Sequence, residues 1–496
     1  MKTTHRLTVV VLPMALIAGG AFILLSRPSV GEAPKPSGKE SPEVVGRIGE
    51  YAIVRAELEE RLVRAIRPRE EEYAAPVQPV TAEATLREML AEKAMSMEGR
   101  RLGYLNEEQI HSSIEEIRQG QLVRMVRENC LRDLPVAEAT EVDRLTKQNP
   151  KFTREQATSL VQRAAASKVL EQVYKGLVEK FQLKRLEENF MQAALIHQRL
   201  LTKPVEPRGP GEYWIKNSQV RNELSEKEKG LVLATYQGGQ FTLKDWFQVI
   251  CNMAPPRRPN DLNTPAGVGR LLDWAIQGPI LVAEAKARGY DKDPKFLSDI
   301  KQVEDQRLFY KAQEEKIKSV PEVTVEQAKT YFEQNAERFA RPAQLKINQI
   351  WCESQEAAQK VKAALESGAD FETAKKAHSL QKEETPHNVS AVGEGLFWAE
   401  LWKADPNQIL GPVKGFYGSG VKWRIVKILE RTPPKAQPYS EQVANSVKWA
   451  LTEERQKQAL EEYHKQLLAK YPHEIFQDRI KDMDPVQIAL SKKEDK

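Results

Sequence analysis

Leu7 to Leu25 is a run of apolar and small residues without a charge, preceded by Lys2, His5 and Arg6 and closed by Arg27. Beyond it the pattern becomes periodic. Leu86, Leu90 and Ala94 recur at helical spacing, as do Ile110, Ile114, Ile117 and Leu122. Gln156 to Leu201 has almost no breakers and predicts one or two long helices, and Leu271–Arg288 and Phe296–Lys318 predict two more. A further helix is predicted after Thr324, with Glu326 and Gln327 in its first turn. Between Pro342 and Pro434 the period changes. Leu345–Trp351 alternates as a strand does, Glu356–Ser367 is amphipathic and stops at Gly368, Phe371–His378 is a short helix, and Val421–Ile428 is a β-rich closing strand.

The chain also repeats itself. Val44–Leu58 and Leu231–Trp246 both read as a strand, a glycine turn, a second strand and a helix start. Arg101-Leu102-Gly103-Tyr104 answers Ala287-Arg288-Gly289-Tyr290, and Gln148–Phe152 answers Gln334–Phe339. Copy one then enters a helix at Arg154-Glu155-Gln156, whereas copy two reaches Ser440-Glu441-Gln442 only after the strand-and-helix insert. An insert inside a repeated helical unit is a candidate functional domain. The expected layout is a cytoplasmic start and membrane anchor (1–27), a linker (28–42), a first helical module (43–202), a linker (203–228), a second helical module (229–341), the insert (342–434) and a closing helix with tail (435–496).

Composition narrows the classes. Net charge is only +5, with basic and acidic residues mixed along the chain, so no nucleic-acid track is expected. Cys130, Cys251 and Cys352 are too few and too far apart for a disulfide framework or a metal site, and the seven histidines show no HxxxH spacing. No metal and no cofactor are expected. Nineteen residues from Leu7 to Leu25, at about 1.5 Å each, span about one hydrocarbon core, which predicts an uncleaved signal anchor. Charge before the run and a polar chain after it predict a single pass of the inner membrane with the bulk of the chain on the periplasmic side. A cleaved signal peptide is the competing reading.

The tether, the strand-turn-strand-helix start and the helix pair around an α+β insert resemble the SurA/PrsA/PpiD group of extracytoplasmic chaperones and foldases. The resemblance is sharpest at Val45–Leu62, at the lead-in Thr330–Phe339, and at Ala357–Phe371 with its Leu365-x-x-Gly368-x-x-Phe371 pattern, followed by Gly411-Pro412-Val413. It implies a mainly α chain of tandem SurA-N-like modules, an N-terminal transmembrane helix and an inserted parvulin-like peptidyl-prolyl isomerase domain. Membrane anchoring makes the layout PpiD-like. The partners so implied are unfolded or nascent extracytoplasmic polypeptides, the inner membrane and the secretion machinery.

Active parvulins carry a histidine in the first strand and another in the last. Gln349 and Arg424 stand at those places here, and Gln381 stands where an Asp or Cys often follows the second helix. Prolyl isomerisation faces a barrier of about 20 kcal/mol, which a site lowers by binding the twisted amide better than either planar form. Gln349 can keep a hydrogen bond, but Arg424 brings a charge and has no acceptor. The resemblance therefore implies an eroded, weak or inactive isomerase, with Phe397, Trp398, Trp402 and Phe416 as the peptide-binding wall. Those aromatics can equally be the insert's own core. His378 and His387 read as unrelated to the site, nothing in sequence positions Glu394 or Asp405, Trp214, Trp246 and Trp274 read as core, and Glu453–Lys470 reads as a solvated face. Two other functions remain open, a working prolyl isomerase and a membrane-tethered scaffold for one fixed partner.

Overall fold

The computed structural model describes residues 43–67, 80–134, 136–205, 209 and 213–491. The run Leu7–Leu25, the linker 28–42 and the prolines Pro68, Pro76 and Pro79 lie outside the described residues. No helix among the described residues is long and apolar enough to cross a membrane. Among the described residues the chain is mainly helical, with ten strands: β1 (Val44–Ile48), β2 (Tyr51–Val54), β3 (Lys184–Arg185), β4 (Val232–Tyr236), β5 (Gly239–Thr242), β6 (Gln344–Cys352), β7 (His387–Ser390), β8 (Ile409–Tyr417), β9 (Gly420–Thr432) and β10 (His473–Ile475).

Each copy opens with the predicted hairpin. Ile48 pairs with Tyr51 across Gly49-Glu50, and Tyr236 pairs with Gly239 across Gln237-Gly238. Gly49 (φ 53°) and Gly238 (φ 98°) hold the positive φ that two-residue turns demand. The end of each copy also recurs. Helix Arg154–Lys180 starts at Thr153, whose hydroxyl and Gln156 form a reciprocal capping box. It stops at Phe181, with Gln182 at φ 51°, and the chain runs through β3 into helix Phe190–Thr202. The unbroken stretch predicted over Gln156–Leu201 is thus interrupted by a strand of two residues, too short to show a period. Helix Glu441–Lys470 is followed in the same manner by β10 and helix Pro485–Ser491.

The two endings are exchanged. β3 of copy one adds to the hairpin of copy two in the sheet order β3-β4-β5, and β10 of copy two adds to the hairpin of copy one in the order β10-β1-β2. Among the described residues one compact unit accordingly comprises 111–303 and the other 43–110 with 304–491. These units do not follow the contiguous modules 43–202 and 229–341 with 435–496. Sequence similarity reports which segments are copies, whereas strand pairing decides which segments fold together. The boundaries fall inside helices Glu108–Cys130 and Pro294–Lys318.

In the first unit (111–303) the core gathers around Trp246, Phe247, Ile250, Val268, Leu272 and Ile280. The stretch 203–228, expected as a linker, is packed from Ile215 onward. Ile215, Val220 and Leu224 are buried, and Gln219 Nε2 donates to the Leu200 carbonyl at 3.2 Å. Of the short helices there, Asn217–Glu223 buries Gln219 and Val220, whereas Glu226–Lys229 buries nothing and is started by the reciprocal capping box of Ser225 and Glu228. The predicted helix Leu271–Arg288 is two helices, Pro265–Ala275 and Gln277–Ala287. Trp246 is core as expected, whereas Trp274 is exposed and Trp214 half-buried.

In the second unit helix Ala82–Arg101 lies along Glu441–Lys470. Leu86, Leu90, Ala94 and Met95 from the first join Val45, Ile48, Leu58, Leu62 and Leu467 in one cluster. Leu90 is fully buried, so Leu90→Ala would cost about 2–5 kcal/mol. The helix Val325–Gln334 packs on the start of Glu441–Lys470 through Phe332, Phe339, Val443 and Val447. Between them stands the insert. Its stem is closed by Arg341 and Lys435, which exchange backbone hydrogen bonds at 2.8 and 3.1 Å.

Candidate functional site

The insert is an antiparallel sheet of order β7-β6-β9-β8. The predicted strands at Leu345–Trp351 and Val421–Ile428 are its central pair, β6 and β9, while β7 and β8 carry no clear alternation and were not predicted. Helices Gln355–Glu366 and Phe371–His378 cover one face, where Ala358, Val361, Phe371 and Ala374 bury Ile350, Cys352 and Ile425. The period of two along a strand puts Gln349 and Trp351 on the opposite face. There Trp351 pairs with Arg424 and Gln349 with Val426.

Gln349 and Arg424 meet directly. The Arg424 Nη1 donates to Gln349 Oε1 at 2.8 Å, and both residues are buried. Glu394, also buried, accepts from Arg424 Nη1 at 3.1 Å and closes the pair through Nη2. The guanidinium stacks 5.0 Å from the Trp351 ring centroid and lies against the bare backbone of Gly415. A Cβ at Gly415 would stand 2.4 Å from Arg424 Nε, so only glycine leaves room for this side chain. Arg424 Nε itself has no hydrogen-bond partner.

The network continues on the other side of Gln349, whose Nε2 donates to Glu384 Oε1 at 2.8 Å. The buried Lys375 reaches the Glu384 carbonyl and donates to Asn348 Oδ1 at 2.6 Å, and Asn348 donates to Glu372 Oε1 at 2.6 Å. Gln381 is not part of this group. It is exposed, and only its backbone is engaged, with the Ser379 hydroxyl. Glu384, three residues on, is the residue that reaches Gln349. Sequence reasoning also missed Glu394, which is positioned by Arg424 rather than by Asp405. The available signal was the arginine, since a buried guanidinium requires an acid. His378 is exposed, and His387 Nδ1 lies 3.1 Å from the Thr385 carbonyl and 3.8 Å from Glu384 Oε1.

The four aromatics proposed as one wall divide between two clusters. Trp398 and Trp402 stack at 5.3 Å over the core of Leu345, Ile347, Leu401, Val426 and Ile428. Phe397 and Phe416, 4.9 Å apart, instead join Val421 with Val63, Ile66 and Ala489, residues from outside the insert. Burial pushes the Cys352 thiol up to about 11, and burial does the same for Cys251 against the lowering influence of Arg258, so neither is a ready nucleophile. Among the described residues no group of His, Cys, Asp and Glu is arranged to hold a metal ion.

Residues 323–444 match the family model of the PPIC-type PPIASE domain. The match takes in the insert together with helix Val325–Gln334 and the first residues of Glu441–Lys470. No curated protein matches the chain. Solved structures similar to it include a SurA-like chaperone of Campylobacter jejuni, at 15% identity over 48% of this chain and 98% of that one, with a TM-score of 0.24. The foldase protein PrsA of Streptococcus pneumoniae is 17% identical over 48% and 93%, with a TM-score of 0.24. The peptidylprolyl isomerase PrsA of Bacillus cereus is 20% identical over 39% and 69%, with a TM-score of 0.21.

Proposed function

We propose that this chain is an extracytoplasmic chaperone or foldase whose helical units bind unfolded or newly translocated polypeptides, and whose PPIC-type domain has weak or no prolyl isomerase activity. In this reading Leu7–Leu25 anchors it in the inner membrane, with the bulk of the chain on the periplasmic side and close to the secretion machinery. The observation that carries the second half is the direct contact of Arg424, Gln349 and Glu394. A catalyst for this reaction needs space in which a proline amide can twist, with groups that favour the twisted form. A charged pair already bonded to the residue at the other histidine's place leaves both positions engaged with each other. The family match of residues 323–444 supports a scaffold of the foldase class.

A protease-coupled proline-peptide assay on residues 34–496 tests the catalytic half, with the uncatalysed rate as the expected result. Acceleration abolished by Gln349→Ala or Arg424→Ala would overturn it. The chaperone half is tested by aggregation of an unfolded client, which equimolar protein is expected to suppress. In cells, crosslinking to many nascent chains is expected, and one stoichiometric partner would instead identify a scaffold.

A further inference from the structure

The last helix, Pro485–Ser491, is uncharged throughout, in a tail where Lys481, Asp482 and Asp484 precede it and Lys492 and Lys493 follow. It is held at its start by Asp484 Oδ1, which accepts from the Val486 and Gln487 amides at 2.7 and 3.1 Å. Its Ile488 packs on the hairpin cluster of Val45, Ile48 and Ile53 beside β10. Val486, Ile488, Ala489 and Leu490 also pack with Phe397, Phe416 and Val421 of the insert and with Val63 and Ile66 of helix Arg55–Ala65. Ala489 is 1% exposed, and its carbonyl comes so close that a Cβ on Gly420 would stand 3.2 Å from it.

Two of the three insert residues under this helix belong to the aromatic set that the family resemblance assigned to peptide binding, and they lie on the strand-and-turn framework that also carries Glu394 and Arg424. Phe397 follows Glu394 by one helical turn, and Val421 precedes Arg424 on β9. A short apolar helix is thus seated beside the filled site.

We propose that Phe397, Phe416 and Val421 form a helix-docking face on the insert, that Pro485–Ser491 is its resident ligand, and that an apolar helical segment of an unfolded client takes the same place when the tail leaves. This rests on the chaperone reading above and names a client class for the insert, a short uncharged helix with a small residue between branched aliphatic ones. The face recognises an apolar ridge by burial and excludes charge, because a carboxylate or ammonium at the Ala489 position would be desolvated without a partner. Recognition of this kind needs neither proline in the ligand nor histidines in the site.

The probe is a labelled peptide with the sequence of residues 484–491, presented to the full chain, to the chain ending at Asp484, and to the full-length Ala489→Glu variant. The truncated chain and Ala489→Glu are expected to bind the peptide at least about tenfold more tightly than the full chain, since affinity scales with the fraction of open face. Val421→Asp in the truncated chain is expected to remove that binding, with the far-ultraviolet circular dichroism unchanged. Equal affinity for full and truncated chains, or no binding to either truncated or Ala489→Glu protein with unchanged circular dichroism, would overturn the docking face. Aggregation of an unfolded client is followed in parallel. Suppression by the full chain without any effect of truncation on peptide binding removes the docking face and leaves the chaperone reading in place.

Discussion

Glu98 and Glu284 stand at matching places in the two copies, related by the same spacing that carries Gly103 onto Gly289. Each is a buried acid on the helix that precedes that glycine, and each receives a lysine from the end of the other copy's long helix. Lys470 Nζ reaches Glu98 at 2.7 Å, and Lys180 Nζ reaches Glu284 at 2.5 Å. The surroundings differ. Glu98 also accepts from Arg101 at 2.7 Å and from the Tyr471 hydroxyl at 2.6 Å, whereas Glu284 adds only Arg288 at 2.7 Å. The hydrogen bond from Arg101 leads the lowering of the Glu98 carboxyl to about 2, with Lys470 and Tyr471 adding to it against burial. Burial pushes Glu284 up, and Lys180 and Arg288 together outweigh it, so its carboxyl is also lowered.

The comparison teaches where the exchange of endings is held. In both units the lysine that closes the clamp comes from the segment contributed by the other copy, so the ion pair reads out correct exchange as well as adding stability. The unit that carries the insert has the more heavily bonded clamp. Its closing helix is separated from Phe339 by the whole insert, yet it arrives in register because Arg341 and Lys435 bring the ends of the insert together.

The largest expected effect is at the insert itself, which only one copy possesses. Arg424→Ala leaves Glu394 buried without its partner and should cost about 3–5 kcal/mol of the insert's stability. Denaturant unfolding followed by hydrogen exchange on β6 and β9 measures it, and protection in β3, β4 and β5 should not change. Next come the clamps. Glu98→Ala and Glu284→Ala should each cost about 1–3 kcal/mol, with Glu98→Ala the larger because it releases three donors instead of two. An equal loss in both would erase the distinction between the units.

Acidity sharpens the same comparison. The Glu98 carboxyl is lowered in the folded chain, so its contribution is present above the usual carboxylate pKa near 4.5 and is lost as pH falls from there towards about 2. Burial, with a further push from Arg258, lowers His197 in the first unit from 6.5 to about 4, and its Nδ1 has no partner. The unfolded chain therefore takes up a proton there first, and stability should fall as pH drops from about 6.5 to about 4. His464 in the second unit is lowered by burial as well. Replacing His197 by Phe, beside Phe247 and Trp246, should flatten that part of the stability profile for the first unit and leave the second unchanged. Thermal unfolding between pH 4 and 7, resolved by Trp246 fluorescence, checks it. The smallest effect belongs to the hairpin turns. Gly49→Ala meets both positive φ and Met97 Cε at 2.9 Å, while Gly238→Ala meets only the backbone strain of about 1–2 kcal/mol, so the former should unfold at lower denaturant.

Periodicity and repetition determined a good deal by themselves. The alternation at Leu345–Trp351 and Val421–Ile428 located β6 and β9, the glycine turns located both hairpins, and Thr324 and Ser440 marked helix starts that their side-chain oxygens do cap. These are local properties, set by spacing along the chain and by backbone hydrogen bonds within a few residues. The short strands β3 and β10 were not legible, because two or three residues show no period and form strands only when a hairpin from elsewhere accepts them. The candidate site divides along the same line. The residue types at positions 349 and 424 were readable, and so was their misfit to a histidine pair. That Arg424 would find Glu394, that Glu384 rather than Gln381 would reach Gln349, and that the terminal helix would cover Phe397 and Phe416 were decided by tertiary structure. Burial forces a charge or an apolar face to find a partner, and the partner it finds depends on which segments the fold brings together, however far apart they lie in sequence.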